Sequence, residues 1–127
     1  MTVLVDTSVL VDHLRGDPRA VSLLDALVNT DQAVWAVTPT RTELLAGIRP
    51  SERPALASLF AALVWIDVTP AIADDAGEMA RRYRRSHRGI DTVDYLVAAA
   101  ARSVDAKLLT LNVRHFPMLP GLEPAYR

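Results

Sequence analysis

The sequence predicts an α/β fold in which a central parallel sheet of about four to five strands is flanked by helices. Four short apolar runs alternate along the chain with segments of helical periodicity. Half of the 127 residues are hydrophobic, which is enough to fill a core. Apolar strands separated by helices form a parallel sheet that is buried on both faces. The length fits one domain, which we place at residues 1–127.

The predicted strands are short runs of apolar residues, several of them β-branched. They span 3–5, 34–37, 64–68 and 107–111. The tail, 116–127, contains three prolines and is predicted to be irregular surface chain, with room for one short edge strand. A strand there would raise the count from four to five.

Helices are predicted between these strands. Asp6 and the two hydroxyl residues after it can cap the first helix, and Gly16 breaks it. Pro18 suits the first turn of the second helix. The remaining helical segments are 43–46 with a stop at Gly47, 51–63, about 70–85 with a break at Gly89, and the alanine-rich 91–103.

Composition excludes several classes of protein. Fourteen basic residues balance fifteen acidic ones, so the net charge of −1 does not indicate a nucleic-acid partner. The absence of cysteine excludes disulfides, thiolate nucleophiles and cysteine zinc sites, and it fits a cytoplasmic protein. Asp6 and Asp12 interrupt the N-terminal apolar stretch, so no signal peptide is expected. The longest apolar run, 59–66, is far shorter than the roughly 20 residues needed to span a bilayer.

Polar side chains fall where the predicted strands end. Asp6 follows the first strand, Glu43 comes after the second, Asp94 begins the last helix, and Asn112 follows the fourth strand. The carboxyl ends of parallel strands share one edge of the sheet, so these groups are expected to converge there. Carboxylates held together need a counter-charge, and Mg²⁺ or Mn²⁺ prefers such oxygen ligands. The corresponding reaction class is phosphodiester hydrolysis.

Each of these acids also has a purely structural interpretation. Asp6 alone would be expected to cap a helix, and Asp91 with Asp94 could form a capping box. Glu43 alone could be an ordinary exposed helix residue. The functional interpretation gains weight because the acids fall near the same predicted edge.

The remaining candidate groups give weaker signals. The strongly basic segment 81–88 contains Tyr83 and could bring a phosphate backbone to the acids, or could be a solvated helix end whose cations oppose the dipole. Trp35 and Trp65 lie in predicted strands and are assigned to the core. The three histidines, His13, His87 and His115, lack metal-ligand spacing.

Four blocks of the sequence, taken together, resemble the VapC-type toxins, which are PIN-domain ribonucleases of type II toxin–antitoxin systems. The blocks are VLVDTSVL at 3–10, TELLAG at 42–47, DYLVAAAA at 94–101 and LTLNVRHF at 109–116. They occur in the family's order and spacing and cover essentially the whole chain. The resemblance implies a PIN-like three-layer fold and a cytoplasmic toxin that requires Mg²⁺ or Mn²⁺. It also implies an RNA substrate, a VapB-like antitoxin and a homodimer.

The same resemblance assigns roles to individual residues. Asp6, Glu43 and Asp94 match the family's acidic triad and are the expected metal ligands, with Thr7 or Ser8 as a supporting hydroxyl. Asn112 stands where the family often has a fourth acid, and the other common place for that acid holds His115. Asn112 is therefore added to the three acids as a catalytic candidate that holds a water or the phosphate. Because Asn112 carries an amide instead of a carboxylate, a second metal site is in doubt. Asp91 is a candidate to replace part of the missing negative charge.

Three rival functions remain. The missing acid keeps open a catalytically weak PIN-fold module that binds RNA or pairs with an antitoxin. An aspartyl phosphatase fits poorly because Ser8 occupies the position of its second Asp. A receiver-type phosphorylation domain also fits poorly, because Asp67 lies within its strand run and Lys107 begins its own.

Overall fold

A computed structural model describes residues 2–127, and over that range the chain forms four strands and six α-helices around one parallel sheet. The elements are β1 (Val3–Val5), α1 (Thr7–Leu14), α2 (Pro18–Val28), β2 (Val34–Val37), α3 (Thr38–Gly47), α4 (Arg53–Ala62), β3 (Val64–Ile66), α5 (Pro70–Tyr83), α6 (Thr92–Ser103) and β4 (Lys107–Leu109). The strand order is β3-β2-β1-β4, and every pairing is parallel. The predicted α/β class is confirmed. Met1, which the predicted domain includes, lies outside the described residues.

The sheet separates two hydrophobic layers, which makes the fold three layers thick. In β1, Leu4 packs with the buried residues of α5 and α6, whereas Val3 and Val5 pack with those of α1, α2 and α4. Successive side chains of a strand point to opposite faces, so a strand with an apolar residue at every position must be covered on both sides. This is why the predicted strands read as continuous apolar runs.

Two predicted strands end earlier than the sequence suggested, and both end where the neighbouring strand ends. The run 64–68 is a strand only through Ile66, whose partner Val37 is the last residue of β2. The run 107–111 is a strand only through Leu109, whose partner Val5 is the last residue of β1. Without a neighbour to pair with, the ladder stops although the apolar pattern continues.

The tail does not add the optional fifth strand in the described residues. Its one ladder-like contact is the Ala125 N–H, which donates to the Thr110 carbonyl at 2.9 Å. Pro117, Pro120 and Pro124 lack the N–H donors that a strand would need. None of the described helices has the length and apolar character required to cross a membrane.

Helix boundaries differ from the predictions where proline starts a helix. Helix α3 begins at Thr38, five residues before the predicted segment, with Pro39 in its first turn. A short 3₁₀ turn, Pro50–Glu52, precedes α4, which ends at Ala62. The predicted helix 91–103 is confirmed, with Asp91 as its N-cap.

The alanines of α6 let this helix pack closely between the sheet and α5. Ala98, Ala99, Ala100 and Ala101 are all buried. Protein interiors are close-packed, so a larger side chain at such a buried position requires its neighbours to shift. We therefore expect Ala100→Leu to lower the free energy of unfolding by about 1–3 kcal/mol through overpacking. Urea denaturation measures this, and Ala61→Leu on the exposed face of α4 is the control that should stay within about 0.5 kcal/mol of the parent. Equal effects of the two substitutions would contradict the packing argument.

Candidate active site

The Asp6 carboxylate is buried at the carboxyl end of β1. The residue is only 4% exposed and occupies the N-cap position of α1, but its side chain makes no capping hydrogen bond. Instead, Oδ2 accepts hydrogen bonds from Thr110 Oγ1 at 2.8 Å and Ser8 Oγ at 3.0 Å. The capping interpretation of Asp6 is therefore wrong, and the carboxylate is held toward the edge of the sheet.

The hydroxyl groups that hold Asp6 are themselves fixed by the backbone after β4. Thr110 Oγ1 accepts from the Asn112 N–H at 3.0 Å, and Ser8 Oγ accepts from the Leu111 N–H at 3.1 Å. Since each hydroxyl accepts from a backbone group, its proton is free to be donated to the carboxylate. Sequence reasoning included Ser8 as a supporting hydroxyl but missed Thr110. The predicted run 107–111 contains Thr110, so the sequence did not show that this residue follows the end of the strand.

Asp94 serves two roles at the start of α6. Its backbone N–H donates to Asp91 Oδ1 at 2.9 Å, and its Oδ2 accepts from the Asp91 N–H at 3.1 Å, which completes a capping box. The structural interpretation of this pair is therefore confirmed. Its Oδ2 also lies 3.1 Å from His115 Nδ1. Asp91 is the N-cap of α6, and its partial replacement of the missing acid stays a prediction.

The electrostatic environment of Asp94 disfavours its negative charge. Burial raises the pKa of Asp94 to about 6, and the charges of Asp91 and Asp6 act in the same direction. The hydrogen bond from the Asp91 backbone and the proximity of His115 oppose this rise. The sequence missed the His115 contact because a short 3₁₀ turn, Val113–His115, brings that side chain back toward the helix.

Glu43 lies on α3, on the exposed surface beside Thr7. Its Oε1 accepts a hydrogen bond from Thr7 Oγ1 at 2.7 Å. Among residues 2–127, there is no group of three or more His, Asp or Glu side chains close enough together to hold one metal ion. The predicted convergence is thus partial: the charge of Asp6 contributes to the raised pKa of Asp94, whereas Glu43 pairs with Thr7. Asn112 begins the turn after β4 with an exposed side chain.

The chemistry of these donors fits a divalent cation. Asp6 and Asp94 provide carboxylate oxygens, the ligand type that Mg²⁺ and Mn²⁺ prefer. Burial, together with the charges of Asp91 and Asp6, raises the pKa of Asp94, and a bound cation would favour its ionised form. Such an arrangement can bind a phosphate through the cation and activate a water molecule next to it.

The two tryptophans lie away from the acids, in the packed layers on either side of the sheet. Trp35 and Trp65 are half-buried against the two hydrophobic layers, so their assignment to the core is confirmed. Trp65 Nε1 donates to the Phe60 carbonyl at 3.0 Å. The basic segment 81–88 contains the end of α5 and the exposed turn that follows it.

Comparison with known proteins gives consistent results. A family model described as the PIN domain matches residues 3–119. The chain is 58% identical to ribonuclease VapC19 of Mycobacterium tuberculosis, covering 97% of this chain and 98% of that protein. It is 43% identical to ribonuclease VapC10 of the same organism, covering 98% and 92%.

Solved structures share the fold at much lower identity. A toxin–antitoxin complex from Klebsiella pneumoniae contains a chain with a TM-score of 0.81 and 21% identity, covering 99% of both chains. VapBC2 from Rickettsia felis, bound to a DNA fragment from its promoter, gives a TM-score of 0.80 and 20% identity over 96% of each chain.

Thr110 gives a direct test of how Asp6 is held. Thr110→Val keeps the shape but removes both the donor to Asp6 and the acceptor for the Asn112 N–H, so we expect a loss of about 1–3 kcal/mol in the free energy of unfolding. Thr40 is equally buried, but its hydroxyl has no hydrogen-bond partner among the described residues. Thr40→Val is therefore the matched control and should be neutral or stabilising in the same urea titration. A neutral Thr110→Val would contradict the role assigned to this hydroxyl.

Proposed function

Because the chain belongs to the PIN-domain family and, within it, to the VapC ribonucleases, we propose that it is the toxin of a toxin–antitoxin pair and hydrolyses RNA phosphodiester bonds with the aid of Mg²⁺ or Mn²⁺. The observation that carries the site assignment is the buried Asp6 carboxylate, held by two hydroxyl donors beside Asp94. A merely structural Asp would not need to lie close enough to a second carboxylate to raise the pKa of that group.

Asp6 and Asp94 are the residues that would hold the cation, with Glu43 as the third acid. When bound, the cation would lower the pKa of an attacking water and neutralise charge that develops on the phosphate. Thr110 and Ser8 keep the Asp6 carboxylate in one orientation, so little reorganisation is needed during the reaction. Glu43 is exposed next to Thr7 and is assigned to bind the same ion or to orient the attacking water.

Asn112 and His115 distinguish this site from one with four acids. We assign the Asn112 amide to hold a water or a phosphate oxygen. His115 lies 3.1 Å from Asp94, so its charge, when protonated, competes with a cation for that carboxylate. One cation accounts for the acids present, and a second is not part of the proposal.

The proposed partners follow from the family. We propose that a VapB-like antitoxin binds and neutralises this chain, as the solved relatives are toxin–antitoxin complexes, and that the toxin forms a homodimer. Its site of action would be the cytoplasm, where the RNA substrate is found. Because Glu43 does not join the other acids in one cluster and Asn112 is not acidic, a module that binds RNA without cutting it is the competing function.

RNA cleavage by purified, antitoxin-free protein tests the proposed activity. With Mn²⁺ or Mg²⁺ and a mixed pool of structured RNAs, we expect Asp6→Asn and Asp94→Asn each to lower the cleavage rate by about 100-fold or more, since several kcal/mol of charge stabilisation depend on those ligands. Glu43→Gln should also lower the rate. Addition of chelator should abolish cleavage by the parent protein.

Asp74→Asn is the matched control for these variants. Asp74 is an exposed acid on α5, so its substitution removes the same charge far from the hydroxyl network of Asp6. Cleavage should be unchanged. Equal activity of the Asp6→Asn and Asp74→Asn proteins, both shown to be folded, would refute the site. No cleavage by the parent protein, together with RNA binding, would favour the non-catalytic module.

Binding of Mn²⁺ can be tested without RNA. A cation that binds only the folded protein at 100 times its dissociation constant stabilises it by about 2.7 kcal/mol, so the melting temperature should rise by several degrees. Asp6→Asn and Asp94→Asn should each abolish most of that rise, whereas Asp74→Asn should retain it. An equal rise in all three variants would show that the metal binds elsewhere.

A further inference from the structure

A groove between α5 and α6 lies beside the acidic site and has no role in the chemistry described so far. Its volume is about 500 Å³, within the range of small-ligand sites. Val68, Ala76 and Leu96 provide apolar walls, and Tyr95, Arg81 and Arg84 provide polar groups. The groove therefore combines an apolar floor with positive charge.

The Tyr95 hydroxyl is an unusual feature of the wall. The residue is only 3% exposed, and its hydroxyl oxygen has no hydrogen-bond partner among residues 2–127. A buried hydroxyl without a partner is costly, and a phenylalanine would fill the same space without that cost. The protein supplies no polar partner for this hydroxyl among the described residues, and a ligand that enters the groove beside Tyr95 can supply one.

The two arginines determine the kind of ligand that fits. Arg81 is in the last turns of α5 and Arg84 is the residue that ends it, and both line the groove. Neither forms an ion pair with a carboxylate among the described residues. Guanidinium groups beside an apolar cavity suit a ligand that has a phosphate attached to a flat, largely apolar ring.

The groove also connects to the acidic site. A second depression, lined by Glu43, Thr42 and Val93, shares Val68 and Leu96 with the groove. Tyr95 directly follows Asp94 in α6. A chain that passes the acids can therefore continue along this surface to the arginines.

We propose that this groove is a nucleotide subsite for single-stranded RNA, in which an unstacked base beside the scissile phosphate enters between α5 and α6. The Tyr95 hydroxyl hydrogen-bonds to an edge of that base, and Arg81 and Arg84 bind the next phosphate. Unpaired bases that are splayed out of the chain are the usual basis of sequence-specific RNA recognition. The inference rests on the proposed ribonuclease function and assigns the residues that select its substrate.

Binding to uncut RNA tests the subsite independently of cleavage. The Asp6→Asn protein is titrated with a fluorescently labelled, randomised single-stranded RNA decamer at several salt concentrations. Adding Arg81→Gln and Arg84→Gln should weaken binding and reduce the slope of log affinity against log salt by about 0.7, the value for one phosphate that is no longer neutralised on a single strand. Arg85→Gln with Arg88→Gln removes the same charge from exposed positions that do not line the groove, and should change the slope much less.

Tyr95→Phe tests base recognition because it removes only the hydroxyl. Sequencing the bound fraction of the same RNA should show that the Asp6→Asn protein enriches one base at one position. Tyr95→Phe should reduce that enrichment about fivefold, the factor that corresponds to one hydrogen bond. The melting temperature of this variant should not fall, since no bond within the protein is lost.

The outcomes separate failure of the subsite from failure of the proposed function. If the parent protein cleaves RNA while Tyr95→Phe and the Arg81/Arg84 variant bind RNA as the Asp6→Asn protein does, the subsite is wrong and the ribonuclease function stands. If the parent does not cleave RNA, but the arginine variant lowers RNA affinity and Tyr95→Phe lowers base enrichment as expected, the subsite stands and the ribonuclease function is wrong. If the Arg81/Arg84 and Arg85/Arg88 substitutions weakened RNA binding equally, the effect would depend on net charge alone. That result would overturn the proposal. Unchanged RNA binding with loss of self-association would assign the groove to a second copy of the chain, and would also overturn it.

Discussion

The hydrogen bond from Thr110 to Asp6 is the interaction on which the arrangement of the site depends. Strands β1 and β4 pair in parallel and end together at Val5 and Leu109, so the next residue of each chain segment lies at the same edge. The Asp6 N–H continues the ladder by donating to the Leu109 carbonyl at 2.9 Å. A carboxylate at this depth would be costly if left without donors. The hydroxyls of Thr110 and Ser8 offset that cost and fix the direction of the negative charge.

The other two acids reach this edge by different routes, and this explains why they behave differently. The buried alanines of α6 allow the helix to lie close to the sheet, which brings Asp94 near enough to Asp6 for the charge of Asp6 to contribute to the raised pKa of Asp94. Glu43 is carried by α3, which starts immediately after β2, and its side chain lies in the exposed depression lined by Thr42 and Val93. It therefore retains freedom to approach water, a cation or substrate, whereas Asp6 and Asp94 are held in place.

The sequence was sufficient to predict features that depend on one strand end or one helix start. The positions of Asp6 after β1 and of Asp91 at the start of α6 follow from local patterns. The early ends of β3 and β4 could not be predicted in this way, because each strand stops where its neighbour stops. For the same reason, the contacts of Thr110 with Asp6 and of His115 with Asp94 were missed: they join residues that only the sheet topology and a 3₁₀ turn bring together. The Tyr95 hydroxyl gave no signal, since a tyrosine on an apolar helix face is usually part of the core.

The number of acids at this edge also bears on the number of cations. Asp94 already has a raised pKa in the presence of Asp6 and Asp91, so another carboxylate at position 112 would add to charge that is not fully compensated. A fourth acid would need additional positive charge beside it, because like charges without a counter-ion destabilise the fold. With an amide at position 112 and His115 already in contact with Asp94, the charges present match one divalent cation better than two. We therefore propose that this chain retains the acids needed to activate one water, and that part of the substrate's charge is neutralised by the arginines of the adjoining groove.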